Sequence, residues 1–500
     1  MDWNRTSRTH IESSSGGLSR RALLQQASCM LAVGILPRGT WMSVQSVSPV
    51  MSTLSTYMAQ ARTRTLPDEV VEKAKQHILD TLAAAISGAD LPPGRAAIRF
   101  AKAYRGDQIS TVVASDLLCG AIEAALTNGV LAHSDETDDS HPPSQSHPGC
   151  AVVPAALATA EQFGMNGVEF VRAVALGYDV GTRVGMALGG AKFQTESHRS
   201  SHALAGVFGA AAAAGSCASL TVQQMRWLLD YTAQQASGIA AWQRDTEHIE
   251  KAFVFAGMPA RSGVTAALLV QSGWTGVDDI LSGADNFLVA FNPQADPLKL
   301  VENLGERYEV TRTNIKKWTV GSPIQAPLDA LERLLKKNPL GVEQIKNVTV
   351  RLGTPEAVIV NNREMPDICL QHMVAVMLID HTVSFHSAHD KARMQDAGVV
   401  RMRAKVNLVA DQELDRLLPR RVSIVEITLT DGKTLSERVD DVRGTAENPM
   451  TREEVVAKCR DLIDPVLGTA RCAKLIDTVL GLENVKDMRA LRPLLKRVEA

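Results

Sequence analysis

The sequence predicts a mainly α-helical protein with an inserted α+β segment. Three patterns carry that prediction. From about residue 52 to 300, apolar residues recur at threes and fours. After about residue 305 they alternate instead, and Asp431-Gly432 lies between RVSIVEITLT and KTLSERVD as a hairpin turn. From 450 to 500 the pattern is helical again and charged. At 500 residues, with 45% hydrophobic and 22% charged residues, the chain is long enough for several domains and a sizeable core.

In chain order, residues 1–50 read as a leader. Ser19-Arg20-Arg21-Ala22-Leu23-Leu24 precedes a mildly apolar segment, Ala27 to Leu36, as in a twin-arginine export signal. On that reading the protein is periplasmic. The alternative is an over-long gene start, with a cytoplasmic protein beginning near Met51. Residues 51–305 are expected to form a helical domain. Pro67 can open a helix whose apolar positions are Val71, Ala74, Ile78, Leu82 and Ala85, with Gly88 as its stop. Pro154 is expected to start an alanine-rich helix through Phe163. Asn166 can cap the helix after that, and Thr221 with Gln224 forms a capping box. GVFGAAAAAGSCASL and MPARSGVTAALLVQSG consist mostly of small residues, so both should be central helices whose backbones approach neighbours closely. Gly206 and Gly209 follow no predicted strand, which makes a phosphate loop a weak reading.

Residues 306–447 are expected to form a smaller α+β domain. Val348, Val350 and Leu352 alternate, as do Met402, Ala404, Val406 and Leu408, and the helical stretches PLDALERLLKK and QHMVAVMLID lie among these strands. In the closing segment, 448–500, Thr451 can cap a helix.

Composition narrows the function classes. A net charge of −2 gives no footprint for nucleic acid. No apolar run is read as reaching the roughly 18 residues of a membrane span. The seven cysteines are scattered, with no CxxC pair, and read as free thiols rather than a disulfide framework or zinc site.

The chemistry concentrates in HSDETDDSHPPSQSHPG, His133 to Gly149, which holds three histidines and four carboxylates. Histidine exchanges protons near neutral pH, and carboxylates orient it. A solvated acidic loop, a metal site and a metal-free acid–base centre are all open readings of these residues. A second cluster, TESHRSSHALAG, places His198, Arg199 and His202 before a small-residue helix, whose N-terminus favours an anion. Lys251 and Lys316-Lys317 each precede uncharged stretches, and such lysines can hold a carboxylate or sit at the surface.

The run NGVLAHSDETDDSHPPSQSHPGCAVVPAALATAEQFG resembles the MmgE/PrpD family, which includes 2-methylcitrate dehydratase and cis-aconitate decarboxylase. The resemblance continues in SHALAGVFGAAAAAG, EKAFVFAGMPARSGVTAALLVQSGWTGVDDIL, KKWTVGSPIQAPLDAL and RVSIVEITLTDGKTL. It implies a helical domain built from both ends of the chain, an inserted α+β lid, a homodimer, and an active site in the cleft without metal or other cofactor. The family pattern H-x-x-D-F-D-D-T with a later H-P falls on His133, Glu136, Asp138, Asp139, Ser140 and His147. His202, Lys251 and Lys316 match its second histidine and its two lysines. The resemblance thus implies His147, His202 and Lys251 as catalytic residues, with Glu136, Ser140, Lys316, Arg199 and His372 facing substrate. Three departures stand out: Glu136 for Asp, Thr137 for an aromatic residue, and His372 for a tyrosine of the lid helix.

The function expected is a lyase that removes a proton beside a carboxylate of a small di- or tricarboxylate, with loss of water. Decarboxylation and epimerisation or isomerisation of a substituted succinate are the alternatives, because all three share a carbanion-like intermediate. A non-catalytic carboxylate-binding protein and a metal-dependent hydrolase are readings from other classes.

Overall fold

The computed structural model describes residues 47–497. The twin-arginine segment lies outside the described residues. The folded part reaches back slightly past Met51. Ser48 caps helix α1 (Pro49–Gln60), its N–H donates to Asp279 at 2.7 Å, and Met51 is buried.

Helices α2 (Asp68–Gly88) and α3 (Pro92–Ala103) follow. A two-stranded ribbon, β1 (Ser110–Thr111) and β2 (Leu118–Cys119), leads to α4 (Ala121–Ala132). Then come α5 (Gly149–Phe163), α6 (Gly167–Leu188), α7 (Ser201–Cys217), α8 (Val222–Gln235) and a long helix, α9 (Ile249–Gln271). The expected caps form: Asn166 with Glu169 on α6, and Thr221 with Gln224 on α8. Pro154 differs from expectation. It lies inside α5, whose first turn is already set by Pro148 and Gly149. A buried helix packed on several neighbours tolerates the single backbone hydrogen bond that an internal proline removes.

Helix α7 is the centre of this domain. All its residues are buried, and α5, α6 and α9 pack around it. The small residues permit this contact. A Cβ on Gly181 of α6 would come 2.5 Å from the Ala205 carbonyl, and one on Gly209 would come 2.7 Å from that of Gly177. Helix α9 is long and apolar enough to pass for a membrane span, contrary to the sequence reading, yet two-thirds of its apolar window is buried inside the protein. It is a core helix lying against α4, α5 and α7.

A second core runs from Trp318 to Val442. Its elements are α10 (Ser322–Lys337), β3 (Ile345–Leu352), α11 (Leu370–Asp380), α12 (Phe385–His389), β4 (Val406–Ala410), β5 (Ser423–Leu429) and β6 (Thr434–Val439). The sheet order is β4-β3-β5-β6, with β3 parallel to β4 and the other pairs antiparallel. Along β5, Ser423, Val425, Ile427 and Leu429 are buried and the residues between are half-buried, so one face carries α10. The alternation read through Met402 and Ala404 belongs only to its second half. Residues 397–403 are helical and the strand begins at Val406.

Helices α13 (Arg452–Leu467) and α14 (Thr469–Leu480) close the chain, α13 with the expected Thr451 cap. Both pack on α2, and their apolar residues join the first core, which holds residues from Met51 to Ile315 and again from Met450 to Leu495. The molecule is therefore a mainly α protein carrying an inserted α+β domain.

Candidate active site

The loop from His133 to Gly149 joins α4 to α5 beneath the lid, and its carboxylates and histidines are buried, which overturns the solvated-loop reading. Buried carboxylates need partners, and each of the four has them. Asp139 Oδ1 accepts the Gly149 N–H at 3.0 Å, capping α5, while its other oxygen meets His77 of α2 and Tyr178 of α6. Asp135 accepts from the Thr137 N–H at 3.0 Å, an Asx turn with Glu136 at its centre.

Asp138 joins two imidazoles. His133 Nδ1 lies 2.9 Å from Oδ2, and His147 Nδ1 lies 3.1 Å from Oδ1. A carboxylate only accepts, so both rings carry hydrogen on Nδ1 and leave Nε2 for other partners. His133 and His147 are 5.0 Å apart between ring centroids, and His147 and His202 are 5.2 Å apart. A one-residue-wider turn in α9, Phe253–Gly257, presents Phe255 beneath them. That ring stacks on His202 at 3.8 Å and on His133 at 4.8 Å. His248, just ahead of α9, brings a fourth imidazole 5.2 Å from His133.

The cations meet at Glu136. Lys251 pairs with its carboxylate, and Lys316 donates to its carbonyl at 2.6 Å with Nζ 3.7 Å from Oε2. Lys316 occupies the crossing between domains, since Ile315 belongs to the first core and Trp318 to the second. Burial alone would raise the Glu136 carboxyl, but Lys251 and then Lys316 outweigh it and hold the group ionised well below its usual range. Burial lowers His147, with Asp138 opposing, and lowers His202 and His248 further, the cationic Lys251 adding to burial for both. Near neutral pH these imidazoles are uncharged bases. His133 Nε2, His202 Nδ1, His248 Nε2 and Trp242 Nε1 are buried without protein partners. Buried polar atoms left unpaired in one place mark where a polar ligand would bind.

His133, Asp138 and His147 also bring ligand-type atoms within 4.8 Å of one another, close enough to hold a metal ion. Two features oppose one. Both Asp138 oxygens already accept imidazole N–H groups, and Lys316 Nζ lies 3.8 Å from Asp138 Oδ1.

Of the residues singled out from sequence, Glu136, His147, His202, Lys251 and Lys316 come together here. The Ser140 backbone bridges to Asn314, and Ser140 lines, with Lys316, Arg312 and Arg443, a cavity of about 230 Å³ between the domains. Arg199 stacks over Phe291 at 4.5 Å, and its backbone pairs with Ile239. His372 is buried in the lid's own core with both ring nitrogens unpaired. Burial, then Arg403 and Arg393, bring it down to about 4. His141 is a support, held by Ser144 at 2.8 Å and Glu309 at 3.3 Å. Sequence reasoning missed His248 and the lid residues Asp367 and His389. His248 had a usable signal, being three residues before Lys251 in DTEHIEK, whereas the lid pair had none.

Residues 52–298 match the MmgE/PrpD N-terminal domain, and residues 318–484 match the MmgE/PrpD C-terminal domain. Among curated proteins, the chain is 26% identical to cis-aconitate decarboxylase of Aspergillus terreus, covering 90% of this chain and 96% of that one. It is 27% identical to cis-aconitate decarboxylase of Homo sapiens, over 86% and 91% of the two chains. It is 24% identical to the cis-aconitate decarboxylase-like protein oryM of Aspergillus oryzae, over 89% and 97%.

Proposed function

This chain belongs to the MmgE/PrpD family, an enzyme family of lyase type, and we propose that it moves a proton beside a carboxylate of a small di- or tricarboxylate without a cofactor. One observation carries the reading. Uncharged imidazoles with free lone pairs surround the point where Lys251 and Lys316 converge on Glu136. Substrate carboxylates would take over the two lysines, displacing Glu136 as their partner. His147, with its Nδ1–H fixed by Asp138, offers Nε2 to the reacting carbon, and His202 faces it for return of the proton. Fixed cations stabilise the charge that builds up in such a step, and positioned acid–base groups contribute on the order of 10²–10⁴-fold.

Loss of carbon dioxide and loss of water both follow from this arrangement. Sequence favoured dehydration, whereas the names of the curated relatives favour decarboxylation. The deciding experiment is proton NMR in D₂O with cis-aconitate, citrate, 2-methylcitrate and substituted succinates. It reads α-carbon deuterium exchange, CO₂ release and alkene formation separately. Exchange in the His147→Ala variant at the wild-type rate would remove His147 from its role. Activity is expected to survive EDTA, and loss that returns with added metal would restore the hydrolase reading. A homodimer is also expected from the resemblance, with light scattering as its test. Export through Arg20-Arg21 is expected too, and replacing both with lysine should keep a fused reporter inside the cell.

A further inference from the structure

The loop and the lid meet at an ion pair that proton transfer does not use. His389 ends α12, and its Nδ1 lies 2.8 Å from the Phe385 carbonyl while Nε2 lies 2.9 Å from Asp135 Oδ2. Nδ1 donates to the carbonyl, and Nε2 makes no aligned hydrogen bond but stands against a buried carboxylate, a contact that favours the charged imidazolium. Asp135 is buried, and its remaining contacts return to Thr137 of its own loop, at 3.0 Å to the N–H and 2.5 Å to the hydroxyl. The Asx turn that carries Glu136 is thus tied to the lid through one side chain. Helix α12 is itself held on its far side, where the Phe385 N–H donates to Asp461 of α13 at 2.8 Å.

We propose that His389 is a positioning residue: its imidazolium fastens the closed lid to Asp135 and so fixes Glu136 between Lys251 and Lys316. The proposal rests on the carboxylate-binding reading of that site. Glu136 sets where the two lysines stand before substrate arrives, so slack in the turn weakens substrate binding more than it slows chemistry.

The charged groups around His389 are Asp135 from the loop, Asp367 from the segment ahead of α11, and His386, Asp390 and Lys391 beside it in sequence. Burial would lower His389, but Asp135 and Asp367 outweigh it and raise the ring to about 9. Asp367 is pushed up to about 6 by burial, against the pull of His389. The fastening therefore holds from about pH 6 up towards 9 and is half lost at about pH 9, where His389 gives up its proton.

The test uses the full-length protein, wild type beside His389→Gln and His389→Lys. Two readouts are taken: amide hydrogen-exchange protection of residues 134–140 across pH 7–10, and steady-state kinetics. The Gln variant should raise KM about tenfold or more, some 1.4 kcal/mol of binding, with kcat changed less than about threefold. It should also lose protection in the loop. Wild type should lose that protection above pH 9, whereas the Lys variant should hold it past that point, because lysine keeps its charge there. Unchanged KM and protection in the Gln variant would overturn the proposal, as would an alkaline loss that stays at pH 9 in the Lys variant. If the Gln variant does not fold, the Lys variant and the wild-type pH dependence decide. If wild type turns over no candidate substrate, the functional reading fails, but loop protection still decides the fastening.

Discussion

Asp138 holds two imidazoles with one carboxylate, and replacing a single oxygen tests the arrangement. In Asp138→Asn the amide keeps one acceptor and gains a donor, so one of His133 and His147 meets an N–H group and must change tautomer. Solvent exchange at the substrate α-carbon should fall about 10²-fold or more, measured by NMR at saturating substrate. The pH profile gives a signed companion prediction. Both His147 and His202 lie below the ordinary value of 6.5, so the acid limb of kcat/KM should lie below pH 6.5. Asp138 raises His147 against burial, so its removal should move that limb to still lower pH. A limb that moves upward would show that another group sets it. At this scale the sequence was legible where residues fall in a family motif, as Glu136, His147 and His202 do. It was not legible at Asp367 and His389. Each is one ordinary titratable residue, and only the packing of the lid on the loop makes it part of the site.

Elements were easier to read, because period and caps are local properties. The capping boxes on α6, α8 and α13 sit where Asn166, Thr221 and Thr451 placed them. The exceptions have tertiary causes. Pro154 is retained inside α5 because packing on α7 outweighs one lost hydrogen bond. Met402 shares the spacing of Val406 and Leu408 although a helix ends between them. The small-residue helices make the sharpest prediction at this scale. Gly181→Ala would place a methyl 2.5 Å from the Ala205 carbonyl, where both backbones are buried and neither can retreat. It should cost about 1–3 kcal/mol as an overpacked core, seen as a lower urea midpoint with an unchanged slope. Because α7 also carries His202 in its first turn, the same change should lower activity more than its effect on stability explains.

The last link belongs to the whole molecule, since the chain's end returns to hold the loop from behind. Lys458 of α13 lies 2.6 Å from Asp80 Oδ1 of α2 and donates to the Thr137 carbonyl at 3.0 Å. His77, one turn earlier on α2, holds Asp139 of the same loop. Nothing in REEVVAKCRDLI separates Lys458 from the charged residues around it, so this contact was invisible until the helices packed. Lys458→Met removes the cation and leaves Asp80 buried alone, which should cost about 3–5 kcal/mol at pH 8. Burial already pushes the Asp80 carboxyl up, and Lys458 is the first group pulling it down. Without the lysine, the folded protein holds a proton on Asp80 at a pH where the unfolded chain has released it. Stability of the variant should therefore rise as pH falls from 8 towards 5, and wild type should show a smaller rise. Adding Asp80→Asn should recover most of the loss at pH 8, because no charge is then stranded. Urea midpoints at both pH values check the pair. Equal losses at pH 5 and 8, or no recovery in the double variant, would place the defect in the lost Thr137 contact instead.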